Sequence, residues 1–319
     1  MIIVNYPVNQ LGNALRSVLS TKILADAASA KFVVDFTKGR CSLITERMLR
    51  ALLPNYVSAT TSVIRELPEQ QCMRWIKLFG TNSDPVLEAI FNPVNSFPKE
   101  GFGLSHIYSA KPDCMTVEYY LRAKHAEYGR MSFPEILKDA VRQFRHSWDI
   151  ADVIGMHIRY SDNLADSVKA TLNTNVSVFE NKLRTIIATH ERVLLCTDNK
   201  KIRDYLVSIY PKSIILPNSI NTDFQALYEM MLLAETKCVL GSYASTFSYE
   251  ACLFKGTDLE VFENGVWKRY EFSFLRELST DQSITLRPVT FSPQARSFCV
   301  RSDRRLATQQ PKSDSQQRK

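Results

Sequence analysis

Short apolar runs alternate with amphipathic segments at both ends of this chain, and less regularly between them. Residues 2–6, Ile-Ile-Val-Asn-Tyr, form an apolar run stopped by Pro7 and read as a strand. A helix is expected over about 14–30, with Leu15, Val18, Leu19 and Ile23 on one face. Phe32, Val33, Val34 and Asp35 make the next strand, so the chain opens as a β-α-β unit. Residues 37–148 are less regular and more helical. They include Pro- and Gly-bearing loops near 92–103 and an aromatic-rich stretch over 117–128.

From Asp152 the alternation sharpens. Strands are expected at 153–157, 192–196, 213–216, 237–241 and 259–262. Helices are expected at about 177–190, 200–210, from Asp223, and 246–255 with Gly256 as its stop. The helix from Asp223 places Phe224, Leu227, Tyr228, Met231 and Leu232 at helical spacing, and Thr222 with Gln225 fits a capping box ahead of it. Repeated β-α units imply a parallel, doubly wound α/β sheet. With 319 residues, two domains are expected, divided near Asp149: 1–149 and 150–300, followed by a tail over 301–319.

Composition changes this picture in three places. The net charge of +7 is uneven, because the last 19 residues hold six Lys or Arg against two Asp, a net of +4. That tail has no aromatics and reads as a disordered, basic, solvated end. The seven cysteines, at 41, 72, 114, 196, 238, 252 and 299, are odd in number and contain no C-x-x-C spacing, which suggests reduced thiols rather than a disulfide framework. The N-terminus starts as a strand with no export signal, and no apolar run approaches 18 residues. No transmembrane segment and a cytoplasmic location are therefore expected.

The candidate chemistry sits where expected strands open into loops, which is where open α/β sheets bind ligands. Gly155-Met156-His157-Ile158-Arg159-Tyr160-Ser161-Asp162 leaves the strand 153–157. Arg159 offers an always-charged planar fork suited to two phosphate oxygens at once. Asp162 is placed to hold Arg159 or the loop by charge-assisted hydrogen bonds, or simply to cap the loop. His157 can meet a nucleobase or phosphate, or be a satisfied core histidine. Ser245, Thr246, Phe247 and Ser248 open the last helix, where hydroxyls and backbone N–H groups can cap the helix or bind an anion. Asp198, after the strand 192–196, can accept from a guanine or ribose, or cap the next helix. Gly12, Asn13 and Arg16 mark the first strand–helix turn, where glycine permits close approach and the other two bring donors. G-x-G-x-x-G, the P-loop pattern, H-E-x-x-H and D-x-D are all absent. A sugar-nucleotide enzyme without D-x-D would neutralise its leaving group with Arg159 and a helix dipole, and neither metal nor cofactor is expected.

Three of these segments together resemble the fucosyltransferase superfamily of bacterial α-1,2- and α-1,6-fucosyltransferases and protein O-fucosyltransferases. Leu11-Gly12-Asn13-Ala14-Leu15-Arg16 is similar to its L-G-N-x-L/F-R turn. His157-Ile158-Arg159-Tyr160-Ser161-Asp162 is similar to H-x-R-R-x-D. Ser245-Thr246-Phe247-Ser248 is similar to its S-T-F-S loop, and Thr197-Asp198 falls where A-T-D is frequent. The resemblance implies a GT-B fold, two Rossmann-like domains facing each other across a cleft, with the acceptor on 1–149 and the nucleotide sugar on 150–300. It implies GDP-L-fucose as donor, a glycan or glycoconjugate hydroxyl as acceptor, and metal-independent inversion. On it, Arg159 is the phosphate-binding arginine, and Asp166 lies near where some members carry a base. Tyr160 departs from the pattern, which has a second arginine there. Another nucleotide sugar, or a nucleotide- or glycan-binding homologue without catalysis, are the competing readings. Nucleic-acid binding through the tail ranks last, since no basic-plus-aromatic motif supports it.

Overall fold

The computed structural model describes residues 2–27, 29–57, 74–75, 89–90, 101–104, 117–160, 176–189, 191–220, 222–243, 245–263 and 265–276. The 301–319 tail, Asp162, Asp166 and the cysteines at 72, 114 and 299 lie outside them.

In chain order the elements are β1 (Ile2–Asn5), β2 (Val8–Asn9), α1 (Leu11–Ala27), β3 (Lys31–Val34), β4 (Arg40–Cys41) and α2 (Leu43–Leu52). Next come β5 (Arg74–Trp75), β6 (Ala89–Ile90), β7 (Gly101–Leu104), α3 (Val117–Gly129) and α4 (Glu135–Ser147). After them run β8 (Ile154–Ile158), α5 (Val176–Ala188), β9 (Val193–Thr197), α6 (Lys200–Ile209), β10 (Ile214–Ile215) and α7 (Gln225–Ala234). The last are β11 (Cys238–Gly241), α8 (Thr246–Lys255), β12 (Asp258–Glu263) and β13 (Val266–Tyr270).

Two main sheets result, both α/β in character. A three-stranded parallel sheet runs β3-β1-β7. A six-stranded sheet runs β10-β9-β8-β11-β12-β13, parallel throughout except for the β12–β13 edge pair. Its order reverses between β8 and β11. The chain winds outward from β8 to β10, then returns to β11 on the other side, leaving a crevice at the carboxyl ends of those two strands. His157 is paired in register with Gly241 across that junction and with Cys196 on β9.

Strand alternation sorts the side chains. Met156 and Ile158 of β8 and Leu195 of β9 face one apolar cluster, with Phe179, Leu183 and Ile186 of α5. Leu194 and Cys196 face the opposite cluster, which continues without a break to Ile3, Leu15, Val18 and Leu19 around the smaller sheet. At about 1.5–3 kcal/mol for each fully buried large aliphatic side chain, that shared core is the main adhesive between the two sheets.

Helix α1 starts three residues before the expected position, because Gly12 and Asn13 form its first turn rather than a preceding loop. Ala14 N–H already donates to the Gln10 carbonyl at 2.9 Å. The helix 246–255 is found as expected, and Gly256 terminates it in the left-handed conformation, φ 68°. The capping box at Thr222 and Gln225 does not form. Helix α7 begins at Gln225 with no side-chain cap; Thr222 Oγ1 accepts from Phe224 N–H instead, and Gln225 Oε1 accepts from Ile220 N–H. Both side chains are used to shape the approaching loop.

Gly241, at the end of β11, has almost no clearance. A Cβ there would lie 2.6 Å from Ser248 Oγ and 2.9 Å from Ser248 Cβ. Gly241→Ala should therefore lower the unfolding free energy by about 1–3 kcal/mol in denaturant titrations. Gly129→Ala, where nothing lies within 4 Å of the added methyl, should leave it within about 0.5 kcal/mol or raise it slightly.

Candidate functional site

A cavity of about 630 Å³ opens at the β8–β11 crevice. Its wall draws on both sheets. Gln10, Leu11, Gly12 and Asn13 come from the start of α1. Ser42, Ile44, Thr45 and Met48 come from the start of α2. His157 and Arg159 leave β8, Thr197 and Asp198 leave β9, and Ser245, Thr246 and Phe247 open α8.

Backbone chemistry holds these loops together through Ser242. Its N–H donates to the His157 carbonyl at 3.2 Å, its Oγ accepts from Arg159 N–H at 2.9 Å, and its carbonyl accepts from Ser245 N–H at 3.1 Å. Ser242 thus ties the end of β8 to the entry of α8. Ser242 is the first residue of the hydroxyl-rich turn that leads from β11 into α8; its linking role is not legible in the sequence, because its partners His157 and Arg159 are distant along the chain, Arg159 by 83 residues.

Arg159 presents its guanidinium at the rim, about a quarter exposed, with Nη1 2.7 Å from Asp198 Oδ2. The other oxygen, Oδ1, accepts from Tyr160 N–H at 2.7 Å. Asp198 therefore orients the arginine loop. It does not cap α6, whose cap is Asn199, accepting from Ile202 N–H. The anchoring role expected of Asp162 is filled, among the described residues, by Asp198. Tyr160 packs against the α5 side of the sheet, so the cavity gains no second cation from that position.

His157 is buried, and its ring lies against Phe247 at 4.8 Å between centroids. Burial, with Arg159 nearby, pushes its pKa down to about 3. It is a neutral imidazole at ordinary pH and gives the site an apolar face and one hydrogen-bonding nitrogen, not charge. Ser245 stands at the N-cap position of α8 but does not cap it; its Oγ lies 3.5 Å from His157 Nδ1. The first-turn N–H groups of α8 are left without a side-chain cap and carry the positive end of the helix dipole toward the cavity.

Gly12 is the close-approach residue its motif suggested. A Cβ there would lie 2.7 Å from Thr246 Oγ1 and 2.8 Å from Phe247 N. The first turns of α1 and α8 therefore touch, and Asn13 lines the cavity beside them. Two expected site residues lie elsewhere. Ser248 is buried beneath Gly241, its Oγ 3.4 Å from the Ser245 carbonyl. Arg16 points away from the cavity into a buried ion cluster, because Glu250 offers its Nε an acceptor at 2.8 Å and Tyr249 offers a ring face at 4.5 Å. Asp166 falls outside the described residues.

Glu229 on α7 is the cavity carboxylate that the sequence did not flag. Burial raises its pKa, against a 3.0 Å hydrogen bond from Gln225 Nε2 and the charge of Arg203, both of which lower it. In the sequence it is a single carboxylate within the apolar helical pattern that starts at Phe224. Among the described residues no group of three or more His, Cys, Asp or Glu is placed to hold a metal ion, and no helix is long and apolar enough to cross a membrane.

The structure is similar to solved fucosyltransferases over 84% of the chain. NodZ α-1,6-fucosyltransferase co-crystallised with GDP superimposes with a TM-score of 0.53 at 14% identity, covering 98% of that chain. Fucosyltransferase NodZ from Bradyrhizobium gives 0.51 at 15% identity, again over 98% of its length. The α/β fold with its parallel-dominated sheet is the fold of these enzymes. No protein-family model matches the chain, and no curated protein matches it.

The buried neutral His157 has a pH signature. Its folded-state pKa is depressed, so the unfolded chain takes up a proton below about 6.5 that the folded chain refuses until about 3. Relative to His157→Phe, the stability of the protein should fall with decreasing pH in that window, by up to ~1.4 kcal/mol per pH unit. Urea unfolding at pH 7, 6, 5 and 4 measures it; parallel curves for the two proteins would show that His157 titrates normally.

Proposed function

We propose that the chain is an inverting, metal-independent glycosyltransferase that moves L-fucose from GDP-L-fucose to a hydroxyl of a glycan or glycoconjugate. The observation that carries this reading is the convergence of Arg159 and the uncapped start of α8 on one cavity at the β8–β11 crevice. A fixed guanidinium and a helix N-terminus together suit a pyrophosphate. Two Rossmann-like domains, 1–149 and 150–300, would face each other there, the acceptor against 1–149.

In the reaction the acceptor oxygen attacks the anomeric carbon from the face opposite the diphosphate. The bond to the β-phosphate oxygen breaks, and its electron pair leaves with GDP. Charge grows on that oxygen as the bond stretches. Arg159, already oriented by Asp198, and the α8 N–H groups meet it without rearrangement, help worth about 3 kcal/mol or more. The acceptor proton passes to a carboxylate or to solvent, Asp166 being the candidate.

Guanine supplies N1–H and N2–H donors side by side, which a carboxylate accepts together; uracil and adenine do not offer that pair. With Asp198 engaged by Arg159 and Tyr160, Glu229 is the cavity carboxylate left for this role. Support for GDP also comes from its presence in the NodZ structure. Tyr160 favours a second reading, a homologue that binds nucleotide without turning it over, since it stands where the family motif has a second arginine.

Three outcomes are expected. GDP at 100 times its Kd should raise stability by about 2.7 kcal/mol in thermal-shift assays, with smaller effects from UDP and ADP at the same concentration. Glu229→Ala should erase the difference. Transfer, or slow donor hydrolysis, should survive EDTA; activity that vanishes on chelation and returns with Mn²⁺ or Mg²⁺ refutes the metal-independent mechanism. Arg159→Ala, and to a lesser degree Arg159→Lys, should cut turnover by about two orders of magnitude with little change in melting temperature. GDP binding with no turnover in the wild type would favour the Tyr160 reading.

A further inference from the structure

Below the cavity the two contacting helices carry a second junction. Gly12 meets Thr246 at the cavity end, and one turn deeper, four residues along each helix, Arg16 meets Glu250. That is a step of about 6 Å along the axis. Glu250 Oε1 accepts from Arg16 Nε and from Lys124 Nζ of α3, each at 2.8 Å, and Oε2 accepts from Tyr128 OH at 2.6 Å. Lys124 and Glu250 are fully buried, and Arg16 very nearly so. Two cations surround one carboxylate, so the cluster carries one uncancelled positive charge. Among the described residues Arg16 Nη2 has no hydrogen-bond partner, and the guanidinium is met on that side by the Tyr249 ring face rather than by a second acceptor.

We propose that Arg16, Lys124 and Glu250 are positioning residues for the diphosphate: they lock Thr246 against Gly12, and their net positive charge, one helical turn beneath the cavity, strengthens its hold on a pyrophosphate. The proposal rests on reading the cavity as a nucleoside-diphosphate site. Net positive charge in a dry interior is costly to keep, and an anion bound one turn away lowers that cost. The helix dipole of α8 and the cluster beneath it act in the same direction.

Lys124 makes the proposal titratable. Burial lowers its pKa to about 8; Glu250 opposes the shift and Arg16 reinforces it. The charged or titratable groups facing Lys124 are Arg16 from α1, Glu250 and Tyr249 from α8, and Tyr120 and Tyr128 from its own helix. Burial holds the Tyr128 and Tyr249 phenols well above their usual range. Glu250 stays ionised, because Lys124 and Arg16 outweigh the upward push of burial. Lys124 is thus charged below about pH 8 and neutral above, and the cluster changes from net positive to neutral across that point.

The test is GDP binding by isothermal titration calorimetry between pH 7 and 9.5, for the wild type, Lys124→Met and Lys124→Arg. Wild-type affinity should fall by about fivefold more than that of Lys124→Met across this range, the ligand's own titrations being common to both. Lys124→Arg, charged throughout, should keep the higher affinity at pH 9.5. At pH 8.5 the wild type should take up a fraction of a proton on binding, measured from buffers of different ionisation enthalpy, and this needs no variant. Wild-type and Lys124→Met curves that fall in parallel, or no proton uptake by the wild type, overturn the inference while leaving the nucleotide site intact. A wild type that binds no GDP at pH 7 overturns the reading of the cavity, and this proposal with it.

Discussion

One buried carboxylate, Glu250, is the constraint on which the rest of the structure depends. It accepts three hydrogen bonds from two other helices, and it sits on the helix whose first residues line the cavity. A buried ion cluster is weak evidence of net stability, because desolvating the charges costs about as much as their attraction returns. Its value lies in geometry. Hydrophobic contacts between α1 and α8 would tolerate sliding by a fraction of a turn, whereas a carboxylate shared by Arg16, Lys124 and Tyr128 has one satisfactory position. One turn along the same two helices Gly12 lies against Thr246, and both residues line the cavity.

The same logic explains the division of labour in the site. Arg159 is oriented by Asp198, and both are tied to the sheet through backbone groups, Tyr160 N–H and Ser242. His157, pushed to neutrality by burial, stands beside the charged Arg159 without adding charge and, with Phe247, supplies an apolar wall. The cavity wall is therefore charged where Arg159 and Asp198 meet and largely apolar where His157 lies against Phe247.

Much of this was legible in the sequence where the governing interactions are local. The strand and helix series from Asp152 onward, the αL stop at Gly256 and the loop carrying His157 and Arg159 all follow from periodicity and turn chemistry within a dozen residues. Gly12 was singled out for close approach, and its partners are Thr246 and Phe247. The failures share a cause. Arg16 looked like a ligand donor because its acceptor, Glu250, is 234 residues away in sequence. Lys124 sat unnoticed on a helix whose shared acceptor, again Glu250, is 126 residues away. Ser245 looked like an ordinary cap, but tertiary packing turned its hydroxyl toward His157. Glu229 hid in an apolar helix because a single carboxylate facing a cavity leaves no periodic trace.

That separation of Arg16 from Glu250 also bears on how the chain is made. At a synthesis rate of about 5–20 residues per second, Arg16 leaves the ribosome tens of seconds before the carboxylate that will neutralise it, and Lys124 waits about half as long. The smaller sheet and its helices can collapse in that time, but they cannot bury these two cations without an acceptor. The α1–α3 face must stay hydrated, and open to chaperones, until α8 arrives. The last third of the chain is then what seals the first, and a nascent chain stopped before Glu250 would hold its earliest helix in an unfinished, water-exposed state.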